Sequence, residues 1–178
     1  LSTGYLPELP DAQGHRLAGS MLGRNVYKLV APKKVSGVTN DGNHVFAATD
    51  AGLLETTSGG QKVSTDEGVE PGWTLLSGFR GLPQGAILDM VEVLNTAGTE
   101  TAALYVAVAR NGIYRTIDFI NWTLVNPTGV TLNSVVNMKL ATFGQGSGSR
   151  VYAAIAEATK LSRLDPSTAM FASFDVTK

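Results

Sequence analysis

The amino-acid sequence predicts an all-β fold made of about three repeated four-stranded antiparallel units. Three observations support this prediction. The 178 residues include 20 glycines, which is typical of a chain with many tight turns. No stretch keeps apolar residues at the three- and four-residue spacing of an amphipathic helix. Strand-like runs separated by turn residues recur in the same order about every fifty residues.

The repeated unit is clearest over residues 104–125. A β-rich run ends at Arg110, and Asn111-Gly112 joins it to a second run that continues to Thr116. Asn-Gly between two such runs is a strong signal for a β-hairpin. A polar turn follows, and Trp122 then opens a third run. This order of run, turn, run, turn and aromatic residue defines the unit.

The same order occurs earlier in the chain. Residues 45–49 form a β-rich run, and a turn at Asp50 leads into a second run over 53–56. After a longer polar loop, Trp73 opens the last run of this unit. The third copy is weaker, and its runs are 151–155, 161–165 and 171–174.

A further run precedes each copy and supplies the first of four strands. These first runs are 35–38, 87–94 and 135–142. Four strands that recur in this way are the blade pattern of a β-propeller.

The repeats divide the chain into predicted segments. Residues 1–24 are expected to be an extended N-terminal arm or linker. Residues 25–178 hold the blades, and 25–32 are interpreted as the outer strand of a preceding blade, because their pattern parallels that of 122–127. Propellers close with four to eight blades, so further blades or partner chains are expected to complete the structure. The predicted complete blades are 33–84, 85–133 and 134–178.

Composition excludes several classes of function. Charged residues are only 16% of the chain and the net charge is −1, with no basic block for nucleic-acid binding. No apolar run is long enough to span a membrane. The chain has no cysteine, and His15 and His44 are too few and too far apart to suggest a metal site. No cofactor is predicted. The compartment is not fixed, although an extracellular or cell-surface location is favoured.

The turn after the second strand of the clearest unit carries a recognisable pattern. It reads Thr116-Ile-Asp118-Phe-Ile120-Asn-Trp122. This resembles the Ser/Thr-x-Asp-x-Gly-x-x-Trp pattern of Asp-box (BNR) repeat propellers, a group that includes sialidases and sortilin-like receptors. Two departures are visible: isoleucine stands where the family has glycine, and the tryptophan comes one residue early.

The other two units keep less of this pattern. The first has Thr56, then Ser58 where the aspartate belongs, then Gly60, with Trp73 far downstream. In the third unit, Asp165 is what remains of the pattern. The resemblance covers roughly residues 25–178.

The resemblance implies a structural role for these residues, on the face away from the ligand site. A short carboxylate can accept hydrogen bonds from the amides of its own turn. The tryptophan is expected to pack between sheets and bury a large apolar area. The structural Asp-box residues are therefore predicted to be Thr116, Asp118, Trp122, Trp73 and Asp165.

In propellers, ligands usually bind near the central axis, at loops between second and third strands and between blades. In this sequence those loops hold Asp50, Arg80, Arg110 and Glu157. The two arginines could bind a substrate carboxylate as in a sialidase, but no tyrosine nucleophile with an acidic partner is recognisable. Asp50, Asp89 and Glu157 are carboxylates that a glycosidase pair could use. Asp89 lies on a predicted inner strand, where a loop-capping or hydrogen-bonded structural role is favoured over a catalytic one. No residue is assigned as catalytic.

The leading functional hypothesis is a non-enzymatic binding or scaffold module within a larger protein or assembly. Its partners would be other protein chains or further blades of the same protein, with a glycan as a further possible ligand. Two alternatives remain open. One is a fragment of a carbohydrate-active enzyme, and the other is a glycan-binding, lectin-like oligomer whose copies complete the ring.

Overall fold

The computed structural model describes residues 16–18, 24–35, 38–39, 42–60, 63–65, 68–70, 72–125, 135–157 and 170–175. The prediction of an all-β fold is confirmed, because these residues form sixteen strands, one 3-10 turn at Gly146–Gly148 and no α-helix. None of these residues belongs to a helix that is long and apolar enough to cross a membrane. Every strand pairing is antiparallel.

The strands are numbered in chain order. They are β1 Arg16–Ala18, β2 Val26–Val30, β3 Lys34–Val35, β4 Val38–Thr39, β5 Val45–Thr49, β6 Gly52–Thr56, β7 Val63–Thr65, β8 Gly68–Glu70, β9 Trp73–Leu75, β10 Ile87–Leu94, β11 Thr101–Val108, β12 Gly112–Thr116, β13 Thr123–Leu124, β14 Val135–Phe143, β15 Arg150–Glu157 and β16 Met170–Asp175.

These strands form three main sheets. Sheet 1 has the order β1-β9-β6-β5-β2, sheet 2 the order β10-β11-β12-β13, and sheet 3 the order β14-β15-β16. Two short hairpins, β3-β4 and β7-β8, are separate. We call β2, β10 and β14 the inner strands, because β10 packs beside both of the others.

The core consists of two interfaces between successive sheets. Sheet 2 packs one face against sheet 1 and the opposite face against sheet 3. The side chains of β10 divide accordingly, since Met90 packs toward sheet 1 while Val91 and Val93 pack toward sheet 3. The first interface joins Phe46, Ala48 and Leu53 to Ile87, Leu104, Val106, Val108 and Trp122. The second joins Ala103, Tyr105 and Ile113 to Val135, Met138, Leu140, Val151 and Ile155.

Sheet 1 differs from the prediction at its inner strand. Residues 25–32 were expected to be the outer strand of a preceding blade, yet Val26–Val30 pairs with β5 as the inner strand of sheet 1. The run 35–38, which was expected in that position, contributes only to the two-residue strands β3 and β4. Glycine within a run weakens a strand, and the sequence 35–38 contains Gly37, whereas Val26–Val30 contains none.

The predicted N-terminal arm also contains a strand. Arg16–Ala18 lies within residues 1–24 and pairs with Trp73–Leu75 as the fifth strand of sheet 1. This pairing covers the backbone groups that β9 would otherwise expose at the sheet edge.

Sheet 3 has three strands among the described residues. The run 171–174 was expected to be the outer strand of its blade, yet β16 pairs directly with β15 and so takes the third position. The run 161–165, which was predicted to be the third strand, lies outside the described residues.

Candidate functional site

Asp50, the first predicted ligand-face residue, holds the start of the inner strand β2. Its Oδ2 accepts hydrogen bonds from the backbone amide of Asn25 at 3.1 Å and from the Asn25 Nδ2 at 2.9 Å. The Asp50 amide in turn donates to the Asn25 carbonyl at 3.1 Å. The carboxylate therefore closes the end of sheet 1.

Arg80 and Arg110 lie at opposite ends of β12. Arg110 is exposed in the turn before Gly112. The Arg80 carbonyl instead accepts a hydrogen bond at 2.9 Å from the amide of Trp122. Trp122 directly precedes β13, whose Thr123 pairs with Arg115 near the other end of β12. Gly112 and Arg115 are three residues apart along β12, which corresponds to about 10 Å.

Glu157, the fourth predicted ligand-face residue, ends β15, where its backbone pairs with Val135. Its side chain lies outside what the structure describes. Asp50 and Arg110 lie in corresponding turns, between the second and third strands of sheets 1 and 2.

Asp118 closes the turn between β12 and β13. Its Oδ1 accepts hydrogen bonds from the amides of Ile120 at 2.9 Å and Asn121 at 2.8 Å, and from the Thr116 hydroxyl at 3.0 Å. Its Oδ2 accepts the Asn121 Nδ2 at 2.7 Å. Trp122 is buried in the interface between sheets 1 and 2. These contacts are those of a carboxylate that fixes its own turn.

The hydrogen bonds around Asp118 also set its charge state. Burial acts to raise the pKa of the carboxyl group, but the donors from Asn121, Ile120 and Thr116 outweigh it and hold the pKa well below its usual range. The charged Asp118 carboxylate therefore stabilises the folded state. This stabilisation is fully present at pH values above 3.8, the ordinary pKa of aspartate, and is lost as the pH falls below that value.

We therefore expect the stability difference between the wild-type protein and Asp118→Asn to depend on pH. The difference in the free energy of unfolding should be largest near pH 6 and should shrink steadily between pH 5 and pH 2, about the range in which unfolded aspartate is protonated. Urea titrations of both proteins at several pH values measure it. A difference that stays constant over this range would contradict a charged turn-closing carboxylate.

The corresponding turn of sheet 1 uses a hydroxyl group in place of the carboxylate. The Thr56 Oγ1 accepts hydrogen bonds from the amides of Ser58 at 3.2 Å and Gly60 at 2.8 Å. Leu54 pairs with Leu75 as Tyr114 pairs with Leu124, so Trp73 and Trp122 hold equivalent positions. The hairpin β7-β8 lies between this turn and Trp73, which accounts for the long spacing in the sequence. Asp165 lies outside the described residues.

A groove of about 370 Å³ opens beside the Asp118 turn, along the outer edge of sheet 2. Two of its polar side chains, Asp118 and Asn121, are hydrogen-bonded to each other. These two side chains of the groove therefore already form hydrogen bonds that stabilise the turn. The lining residues of the groove are Arg115, Ile117, Asp118, Asn121, Thr123 and Val125.

Asp89 joins the inner strands of all three sheets. Its Oδ1 accepts the Nζ of Lys28 in β2 at 3.0 Å and the amide of Met90 at 2.8 Å. Its Oδ2 accepts the amide of Leu140 in β14 at 2.8 Å. The residue is only 5% exposed. A buried carboxylate needs such donors, and this one receives them from three strands.

The inner strands share a second feature, a β-bulge near the start of each. The pairing register shifts between Val26 and Lys28 in β2, between Ile87 and Asp89 in β10, and between Val135 and Asn137 in β14. Bulges redirect the side chains that follow them. Lys28, Asp89 and Asn137 thus occupy equivalent positions. Lys28 bonds to sheet 2, and Asp89 bonds to sheet 3.

The side of sheet 3 that faces away from sheet 2 is exposed. Met138 and Leu140 pack toward sheet 2, so by strand alternation the residues between them face the other way. Phe143 is 71% exposed and Tyr152 is 42% exposed. We call this surface the forward face of sheet 3. It consists of Asn137, Ala141, Phe143 and Tyr152, of which Ala141 and Tyr152 are paired. The Lys139 side chain instead reaches back to sheet 2, where its Nζ donates to the Leu88 carbonyl at 3.3 Å.

Among the described residues, no group of three or more His, Asp or Glu side chains could hold a metal ion. His44, one of the two histidines, instead pairs through its Nε2 with the Glu55 Oε1 at 2.6 Å.

The chain matches no protein-family model, no curated protein and no solved structure. The Asp-box resemblance therefore remains a prediction that rests on the residues themselves.

Proposed function

We propose that this chain is a non-enzymatic binding or scaffold module of propeller-like blades within a larger protein or assembly. The observation that carries the proposal is the exposed forward face of sheet 3. The same side of sheets 1 and 2 is buried against the next sheet. A face that continues this series while exposing two aromatic side chains is typical of a protein interaction surface.

The contacts of Asp50 and Asp89, two of the carboxylates considered for a glycosidase pair, favour this proposal over a fragment of a carbohydrate-active enzyme. The Asp50 carboxylate holds Asn25, and Asp89 is buried among backbone amides and Lys28. Two carboxylates that flank a scissile glycosidic bond must both reach a common cleft. These two serve the packing of the strands.

Site-specific photo-cross-linking tests the proposal. We expect p-benzoylphenylalanine in place of Phe143 to cross-link the protein, in its native cells, to a defined polypeptide that mass spectrometry identifies. Leu124 is the matched control, because it is 48% exposed on the outer edge of sheet 2. Cross-links of equal yield at both positions, or none at 143, would contradict a binding face. Hydrolysis of fluorogenic glycosides by the purified protein would overturn the non-enzymatic assignment.

A further inference from the structure

We infer that this chain binds an extended partner peptide that contains tryptophan, and that the peptide completes sheet 3 as its fourth strand. The peptide backbone would pair with β16, and the tryptophan ring would enter the groove beside the Asp118 turn. This surface is not the forward face of sheet 3, so the inference goes beyond the proposed function. It follows from the way in which sheets 1 and 2 hold their own outer strands.

The outer strands of sheets 1 and 2 have the same three residues. Trp73–Leu75 reads Trp-Thr-Leu, and so does the segment from Trp122 to Leu124. Each segment pairs with the third strand of its sheet, at Glu55 in sheet 1 and at Arg115 in sheet 2. The fourth position is therefore taken by the same short sequence in both sheets.

Trp122 shows where the ring of an outer strand packs. It is only 6% exposed and belongs to the core cluster between sheets 1 and 2, together with Leu53 and Leu76 of sheet 1. These two leucines are neighbours across their strands, since the Leu76 amide donates to the Leu53 carbonyl at 2.8 Å. The ring of the outer strand is thus buried against the outer half of the preceding sheet.

Sheet 2 repeats this pair of apolar residues on the side that faces sheet 3. The Val125 amide donates to the Ile113 carbonyl at 2.8 Å, which is the same hydrogen bond as in the leucine pair. Ile113 is buried against sheet 3, and Val125 packs against the same cluster. Val125 also lines the groove of about 370 Å³, together with Arg115 and Thr123. The position that corresponds to the packing site of Trp122 is therefore an open groove.

The fourth position of sheet 3 has no strand in the part of the chain that the structure describes. There β16 pairs with β15 on one side, and no described strand lies on the other. An open strand edge presents backbone N–H and C=O groups with which an extended peptide can pair. In such binding the main chain supplies affinity and pockets for side chains supply specificity. The β16 edge and the groove provide these two contacts.

Titration of a fluorescein-labelled peptide with the full chain tests this inference. The peptide is Asn-Trp-Thr-Leu-Val-Asn, the sequence of residues 121–126. We expect saturable binding, measured by fluorescence anisotropy. A peptide with alanine in place of tryptophan should bind about tenfold or more weakly, because it lacks the ring that fills the groove.

Two variants of β13 locate the binding position. Thr123→Phe places a ring in the groove that Thr123 lines, and it should weaken peptide binding about tenfold or more. Leu124→Phe is the matched control, because successive strand residues point to opposite sides of the sheet, and it should bind the peptide as the wild type does. Both side chains are exposed, so both variants should keep the wild-type circular dichroism spectrum.

Amide hydrogen exchange identifies the strand with which the peptide pairs. We expect the peptide to slow the exchange of β16 amides and to leave the amides of β2 unchanged. No saturable binding, equal affinity for the alanine peptide or an unaffected Thr123→Phe variant would each overturn the inference. Outward-facing β16 amides that are protected before peptide is added would overturn it too, because the position would then be filled within the chain. A polypeptide cross-linked at position 143 would in each case still support the proposed binding role.

Discussion

Replacing Asp89 by alanine is expected to lower the free energy of unfolding by about 2–4 kcal/mol. The amides of Met90 and Leu140 would lose their acceptor in a buried setting, and Lys28 would lose its partner. Because the carboxylate links β2, β10 and β14, the loss acts on both interfaces at once. Urea unfolding followed by circular dichroism measures the change.

Two further variants separate the contributions at this position. Lys28→Met removes a side chain that is 37% exposed, so its loss should lower stability by less than about 1 kcal/mol. Asp89→Asn keeps one oxygen as an acceptor and should fall between the other two variants. An Asp89→Ala protein as stable as Lys28→Met would show that the buried amides find other acceptors, contrary to this account.

Gly81→Ala is expected to have a comparable effect, about 2–4 kcal/mol of lost stability, for a steric reason. Gly81 has φ of +86°, and a Cβ atom there would lie 2.3 Å from the carbonyl oxygen of Trp122. That backbone cannot simply move, because the Trp122 amide donates to the Arg80 carbonyl and its ring is buried between sheets 1 and 2. Thermal and urea unfolding measure the loss.

Gly42→Ala is the matched control for the backbone effect. Gly42 has φ of +91°, but a Cβ atom there would meet nothing within 4 Å. Its substitution by alanine should therefore lower the free energy of unfolding by about 1 kcal/mol, which is the cost of the left-handed backbone conformation alone. If both alanine variants lose the same amount, the contact with Trp122 is not what requires glycine at position 81.

The strands that were predicted well are those in which β-rich runs meet local turn signals. Asn111-Gly112 identified the hairpin between β11 and β12, and the run 87–94 coincides with β10. The prediction failed at 25–32, because its likeness to the segment at Trp122 suggested an outer strand. Which strand Val26–Val30 pairs with is decided by long-range packing against Asp89 and sheet 2, and neighbouring residues do not reveal it.

The partners of Asp89 could not be predicted, for a related reason. Its partners Lys28 and Leu140 lie 61 and 51 residues away in the chain, and one of them is a backbone amide that any residue could supply. No local sequence motif indicates such a long-range contact. The turn at Asp118, by contrast, makes its hydrogen bonds within three residues, so its pattern was visible in the sequence.

The hairpin β7-β8 has a practical consequence for protein engineering. The chain leaves sheet 1 after Gly60 and returns at Trp73, whereas sheet 2 makes the same connection between Ile120 and Trp122. The pairing of β6 with β9 is nevertheless maintained across the longer excursion. Since the entropy of closing a loop grows only slowly with its length, this excursion is a suitable position for inserting a fluorescent reporter or an affinity tag.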